Sequence, residues 1–173
     1  YKALQKSDIK HILVRHEQAA AHACDGFYRS SGKFGVCVST ASPGALNFVM
    51  AVATAFKDNI PMLVFTGDNI VENKFNDSFQ SFPLNEVFKP ITFKSFDPLT
   101  GSEAISNLKE ALFLLKYNPQ GPIHINLSKD ILLEEEYHEK PENFKTSFDS
   151  KNYLIDSNKL FFIVGAGAIS EAN

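Results

Sequence analysis

Tryptophan is absent from the 173-residue chain, and cysteine and methionine occur only twice each. Two cysteines, Cys24 and Cys37, cannot build a disulfide framework, and their spacing matches no zinc site, so a reducing, cytoplasmic setting is expected. No apolar run approaches the roughly 18 residues that span a bilayer, and residues 1–20 lack the order of basic, apolar and small segments that marks a signal peptide. No membrane partner is expected. An excess of basic charge is also lacking: 17 Lys and Arg stand against 20 Asp and Glu, and the basic residues are scattered, so no nucleic-acid partner is expected.

Apolar residues, by contrast, make up 44% of the chain, enough at this length for a core that needs no staples. Short β-branched runs alternate with helical patterns, as in βαβ units around a mainly parallel sheet. Strands are expected at His11–Val14, Gly35–Ser39, Met62–Thr66, Ile91–Phe96 and Pro122–Leu127. A helix over 17–31 follows from the stripe Ala19, Ala20, Ala23, Cys24, Phe27 and Tyr28, with Gly32 as its stop. After a turn at 40–44, a second helical stripe reads Leu46, Val49, Ala53 and Phe56; a third helix covers 102–116 with Ser102 as its cap. Residues 67–88 carry no period and are long for a connection, which marks a functional or mobile segment. The fold class expected is α/β, doubly wound, with a mainly parallel sheet and helices on both faces.

Several motifs dissolve on inspection. His16, Glu17 and His22 echo the zinc-protease H-E-x-x-H, but the two histidines are six apart, about 240° around a helix, and cannot share a metal. Ser42 sits in T-A-S-P-G, where Thr40 replaces the first glycine of a nucleophile elbow and Pro43 removes an oxyanion donor. Asn76-Asp77-Ser78 and Asn126-Leu127-Ser128 are glycosylation sequons by pattern alone. Gly165-Ala166-Gly167-Ala168-Ile169-Ser170 follows an apolar strand and reads equally as a tight β-to-α turn or the opening of a dinucleotide site. Glu17, by itself, reads as a first-turn glutamate complementing a helix dipole, although it also falls at the carboxyl edge of the sheet, where α/β folds bind ligands.

The order of segments adds more. R-H-E-Q-A-A-A-H-A-C-D-G-F-Y-R, then G-V-C-V-S-T-A-S-P-G-A-L-N, then A-F-K-D-N-I-P-M-L-V-F-T-G-D, D-S-F-Q and G-P-I-H-I-N-L-S-K-D run in one sequence over residues 10–131. This resembles the pyrimidine-binding domain of thiamine diphosphate enzymes, the acetolactate (acetohydroxyacid) synthase large subunit above all. The resemblance implies that Glu17 is catalytic, hydrogen-bonding N1′ of the aminopyrimidine so that the neighbouring amino nitrogen can take the proton from thiazolium C2. It implies that Pro43, Asn47 and Gln80 also bind the cofactor and that Phe79 and Gln80 face the substrate. A pKa raised by burial would suit Glu17, whereas the helix start would oppose it.

Departures accompany the likeness. The family's Ser-Gly-Pro-Gly stands here as Ala41-Ser42-Pro43-Gly44; Lys89 occupies the position of an arginine that contacts FAD, and Phe93 that of a lysine. Gly67-Asp68-Asn69 breaks the metal-binding G-D-G pattern at its third residue. No metal ligand is therefore assigned to this chain; Mg²⁺ and the diphosphate are expected on a separate domain of a partner chain, FAD is a further cofactor the resemblance allows, and a homodimer or tetramer is implied. Residues 1–133 are expected to form the pyrimidine-binding domain without its first strand, 134–158 a linker, and 159–173 the start of a central domain. The implied reaction decarboxylates pyruvate and ligates the two-carbon unit to a second 2-keto acid, with the chain inactive alone. A simple 2-keto acid decarboxylase or other carboligase, and a non-catalytic self-associating module, are the alternatives.

Overall fold

Four strands supply the frame: β1 (Gly35–Ser39), β2 (Met62–Asp68), β3 (Lys94–Phe96) and β4 (Ile123–Ser128). In the computed structural model, which describes residues 2–74, 76–117 and 121–133, they form one sheet in the order β1-β2-β4-β3 with every ladder parallel. Val36 pairs with Leu63, Leu63 with Ile123, and Phe96 with Ile125. Parallel strands need crossovers, and the helices that supply them are α2 (Glu17–Ser31), α3 (Ser42–Leu46), α4 (Val49–Lys57), α5 (Leu84–Phe88) and α6 (Gly101–Tyr117), after a short α1 (Lys2–Gln5).

Alternation along the strands feeds two cores. On one face Met62 and Val64 meet Ala21 and Cys24 of α2, Phe48, and Ala51, Val52 and Ala55 of α4. On the other, Leu63, Phe96, Ile123 and Ile125 meet Ala111 and Leu115 of α6. Helices thus cover both faces, as the periodicity predicts.

Helix α2 has the expected ends. His16 caps it, its Nδ1 accepting from the Gln18 N–H at 3.2 Å, and Gly32 closes it with φ of 68° and its N–H on the Tyr28 carbonyl. Elsewhere the structure corrects the sequence. His11–Val14 is not a strand: Ile12 is 89% and Leu13 93% exposed, and β1 pairs only with β2 among the described residues. Strand propensity is realised only against an edge that accepts it, and this segment pairs with none. The turn expected at 40–44 is already helical from Ser42, because Pro43 falls in the first turn, where an N–H is not needed. The buried stripe there is Ala45, Phe48, Ala51, Val52 and Ala55, one residue away from the expected Leu46, Val49, Ala53 and Phe56, since small alanines let the backbone approach the sheet closely.

The cap of α6 is Thr100 and not Ser102. Thr100 Oγ1 accepts from the Glu103 N–H at 3.2 Å while Glu103 Oε2 accepts from the Leu99 N–H at 2.8 Å. The third strand spans only Lys94–Phe96 of the expected Ile91–Phe96. Among its described residues the aperiodic 67–88 segment holds one 3₁₀ turn, at Val71–Asn73, before α5. The linker at 134–158, the unit at 159–173 and the Gly165–Ser170 turn lie outside the described residues.

Candidate active site

Helix α2 runs back antiparallel to β1, so its first residue, Glu17, stands at the carboxyl edge of the sheet. The β1-to-α3 turn comes up beside it. Asn47, immediately after α3, donates from Nδ2 to Glu17 Oε2 at 2.9 Å. The other carboxylate oxygen, Oε1, faces Gly44: a Cβ built on Gly44 would lie 2.9 Å from it and 2.6 Å from Ser39 Oγ. Glycine at 44 is thus a matter of room, not of backbone freedom.

Electrostatics keep this carboxylate charged. The Glu17 carboxyl is held below its usual range, first by the Asn47 hydrogen bond and then by its own backbone N–H; burial pushes weakly the other way and His16 adds to the lowering. Of the two effects weighed from sequence, burial is outweighed, and the largest lowering comes from neither of them but from Asn47 at the end of α3.

Pro43 lies in the same turn and is exposed. Gln80 reaches the turn through its backbone: Ser42 Oγ donates to the Gln80 carbonyl at 2.7 Å, and Gln80 adopts a left-handed φ of 57°. The preceding carbonyl, of Phe79, accepts from Asn69 Nδ2 at 2.9 Å. Two consecutive carbonyls are thereby pinned, and the Phe79 ring is left 85% exposed, so core packing is not its role. The structure therefore joins Glu17 to Asn47 directly and ties the Phe79-Gln80 segment to Ser42 of the same turn.

Sequence reasoning missed a second polar assembly. His124, fully buried on β4 and stacked on Phe88, lies between Thr66 Oγ1 at 2.8 Å and Ser95 Oγ at 2.7 Å. Burial, with the Lys74 charge adding to it, lowers its pKa to about 3. Next along β4, Asn126 bonds Thr66, Asp68 and Asp97, and Lys74 is ion-paired to Asp97. Asn126 is only 1% exposed, which rules it out as a glycan acceptor. This network borders a cleft of about 540 Å³ whose walls include Asp68, Lys74, Phe82, Glu86 and Asp97. Asp68 has both oxygens engaged, by Asn126 and by the Asn69 N–H, as a structural carboxylate would.

Among the described residues no three His, Cys, Asp or Glu are grouped so as to hold a metal ion, and no helix is long and apolar enough to cross a membrane.

Comparison with known proteins gives this geometry a context. Residues 1–86 match the family model for the thiamine pyrophosphate enzyme, N-terminal TPP binding domain. The chain is 45% identical to a probable acetolactate synthase large subunit of Methanocaldococcus jannaschii, over 76% of this chain and 22% of that protein. It is 42% identical to an acetolactate synthase of Arthrospira platensis, over 76% of this chain and 23% of the relative. With the acetolactate synthase large subunit of Pyropia yezoensis it shares 37% identity over 98% of this chain and 31% of the relative. The chain thus spans between about a fifth and a third of the length of these curated relatives. It belongs to the thiamine pyrophosphate enzymes and carries their N-terminal domain in an acetolactate synthase-like form.

Proposed function

We propose that this chain is the pyrimidine-binding half of an acetolactate synthase-like enzyme that decarboxylates pyruvate and ligates the two-carbon unit to a second 2-keto acid. The observation that carries the reading is the Glu17 carboxylate, fixed through Oε2 by Asn47 and open through Oε1 above a glycine. Those residues fit an aminopyrimidine: Oε1 can hydrogen-bond a ring nitrogen, and the missing Cβ at Gly44 leaves the approach clear. Glu17, Pro43, Asn47 and Gln80 would hold the ring, and Phe79 with Gln80 would face the substrate. When bound, thiamine diphosphate supplies the electron sink that decarboxylation of a 2-keto acid needs.

The chain's own residues do the rest. Asn47 keeps the carboxyl oriented, and its depressed pKa presents a charged acceptor at neutral pH, able to take or share a proton at the ring nitrogen. Ser42 holds Gln80 and so sets where the Phe79 ring stands.

We place Mg²⁺ and the diphosphate on a separate domain of a partner chain, in a homodimer or tetramer. Exposed Leu46 and Met50 beside Asn47 support an apolar interface at this site. The reading does not require FAD, since Lys89 and Phe93 depart from the pattern of the enzymes that bind it. Two buried free thiols support a cytoplasmic setting. In the same reading residues 1–133 are the pyrimidine domain, 134–158 a linker and 159–173 the start of a central domain.

The test is carbon dioxide release and acetolactate formation from pyruvate by the full-length protein, wild type against Glu17→Gln. The variant should lose on the order of a hundredfold or more. Equal rates sink the role of Glu17. Aldehyde without acetolactate moves the protein to the simple decarboxylases, and neither cofactor binding nor carbon dioxide release makes it a non-catalytic module.

A further inference from the structure

Ser39 ends β1 and is 6% exposed. Its hydroxyl is the one buried side-chain polar atom among the described residues without a hydrogen-bond partner. Native interiors rarely leave such a group unused, so its surroundings indicate what it serves. Ser39 Oγ and Glu17 Oε1 converge on the same point, the position a Gly44 Cβ would occupy, 2.6 Å from the first and 2.9 Å from the second. The other Glu17 oxygen is already taken by Asn47.

We propose that Ser39 is a positioning residue of the pyrimidine site, its hydroxyl donating to Glu17 Oε1 when a ring nitrogen engages that oxygen. The carboxyl is then held from two sides, by β1 through Ser39 and by the end of α3 through Asn47, and only one direction is left for proton exchange with the ring. This rests on the assignment of Glu17 to the ring nitrogen. Two local facts agree with it. Pairing with the carboxylate satisfies a hydroxyl that otherwise has no partner, and the contact is open only because residue 44 lacks a side chain.

The full-length protein, stripped of cofactor, is titrated calorimetrically with thiamine diphosphate and Mg²⁺ over the acid range, as wild type, Ser39→Ala, Ser39→Thr and Glu17→Gln, with thermal melting of each. Ser39→Ala should bind roughly ten- to a hundredfold more weakly, the worth of one hydrogen bond to a charged group. Its acid-side midpoint for binding should move up, because a donor to the carboxylate favours the charged form. Asn47, the Glu17 N–H and His16 also act on that carboxyl and are unchanged in the variant. Its melting temperature should hold or rise, since the substitution deletes an unpaired buried hydroxyl, whereas a purely structural serine would lower it. Ser39→Thr restores a hydroxyl and should restore both affinity and midpoint.

Unchanged affinity and midpoint in Ser39→Ala overturn the proposal, as does a threonine variant no better than alanine. If wild type binds and Glu17→Gln weakens it while Ser39→Ala does not, this inference falls and the reading of Glu17 stands. If Glu17→Gln binds as wild type does, both fall.

Discussion

Gly26 and Gly44 both sit in helices, and the same substitution at each should act on different properties. Around Gly26, on the exposed side of α2, a new Cβ meets nothing within 4 Å. Gly26→Ala should therefore gain the ordinary helix-propensity term, about 0.5–1 kcal/mol, and leave binding untouched. At Gly44 the Cβ would stand 2.6 Å from Ser39 Oγ and 2.9 Å from Glu17 Oε1, where ordinary contact begins near 3.4 Å. Overpacking of that order costs about 1–3 kcal/mol, but here both obstructing atoms are side-chain ends that can move. The lower end applies, the propensity gain offsets most of it, and net stability should change by less than about 1 kcal/mol. The displacement falls on Glu17, which can clear the new methyl only by giving up its Asn47 bond or its orientation. A loss of about 1.4 kcal/mol there is tenfold in affinity. Urea unfolding and thiamine diphosphate titration of the full-length protein, with both variants side by side, separate the two quantities. A Gly44→Ala protein that binds the cofactor as tightly as Gly26→Ala does would refute the placement of Glu17 Oε1 over residue 44.

Two other substitutions have defined outcomes. Ser42→Ala removes the bond to the Gln80 carbonyl, worth about 1 kcal/mol, and should speed amide hydrogen exchange around Phe79 and Gln80; unchanged exchange would show that Asn69 alone holds the segment. His124 stays neutral in the folded chain down to a pKa of about 3 while the unfolded chain protonates it near 6.5, so stability is lost as pH falls through that window. By about pH 5 the loss should reach roughly 2 kcal/mol relative to neutral pH, and His124→Gln should flatten this part of a urea-denaturation series; an equally steep series in the variant would assign the effect to other groups.

What the sequence discloses here is chemistry that acts locally. The end of helix α2 can be read to the residue because Gly32 acts on the turn beside it, and the strands at 35, 62 and 123 because β-branched runs carry their own period. Errors arise where the answer depends on a partner. His11–Val14 has the composition of a strand but pairs with no edge among the described residues, and the stripe of α3 and α4 is displaced by one residue because size in the sequence points to Leu46 while close packing selects Ala45.

The site divides in the same way. Glu17 and Asn47 lie 30 residues apart, and only their place in a familiar order of motifs linked them before geometry did. His124 and Asn126 were hidden by their own alternation. In P-I-H-I-N-L every second residue is polar, the pattern of a strand wet on one side, yet both polar side chains are inside because helices cover both faces of this sheet. Ser39 and Ser42 are harder still. Three residues apart, one ending β1 and the other opening α3, they differ in what the third dimension brings to each: a carbonyl from position 80 for Ser42, and for Ser39 a carboxylate oxygen across the space left by Gly44. A serine's role follows from its acceptor, and the acceptor is set by how the chain returns.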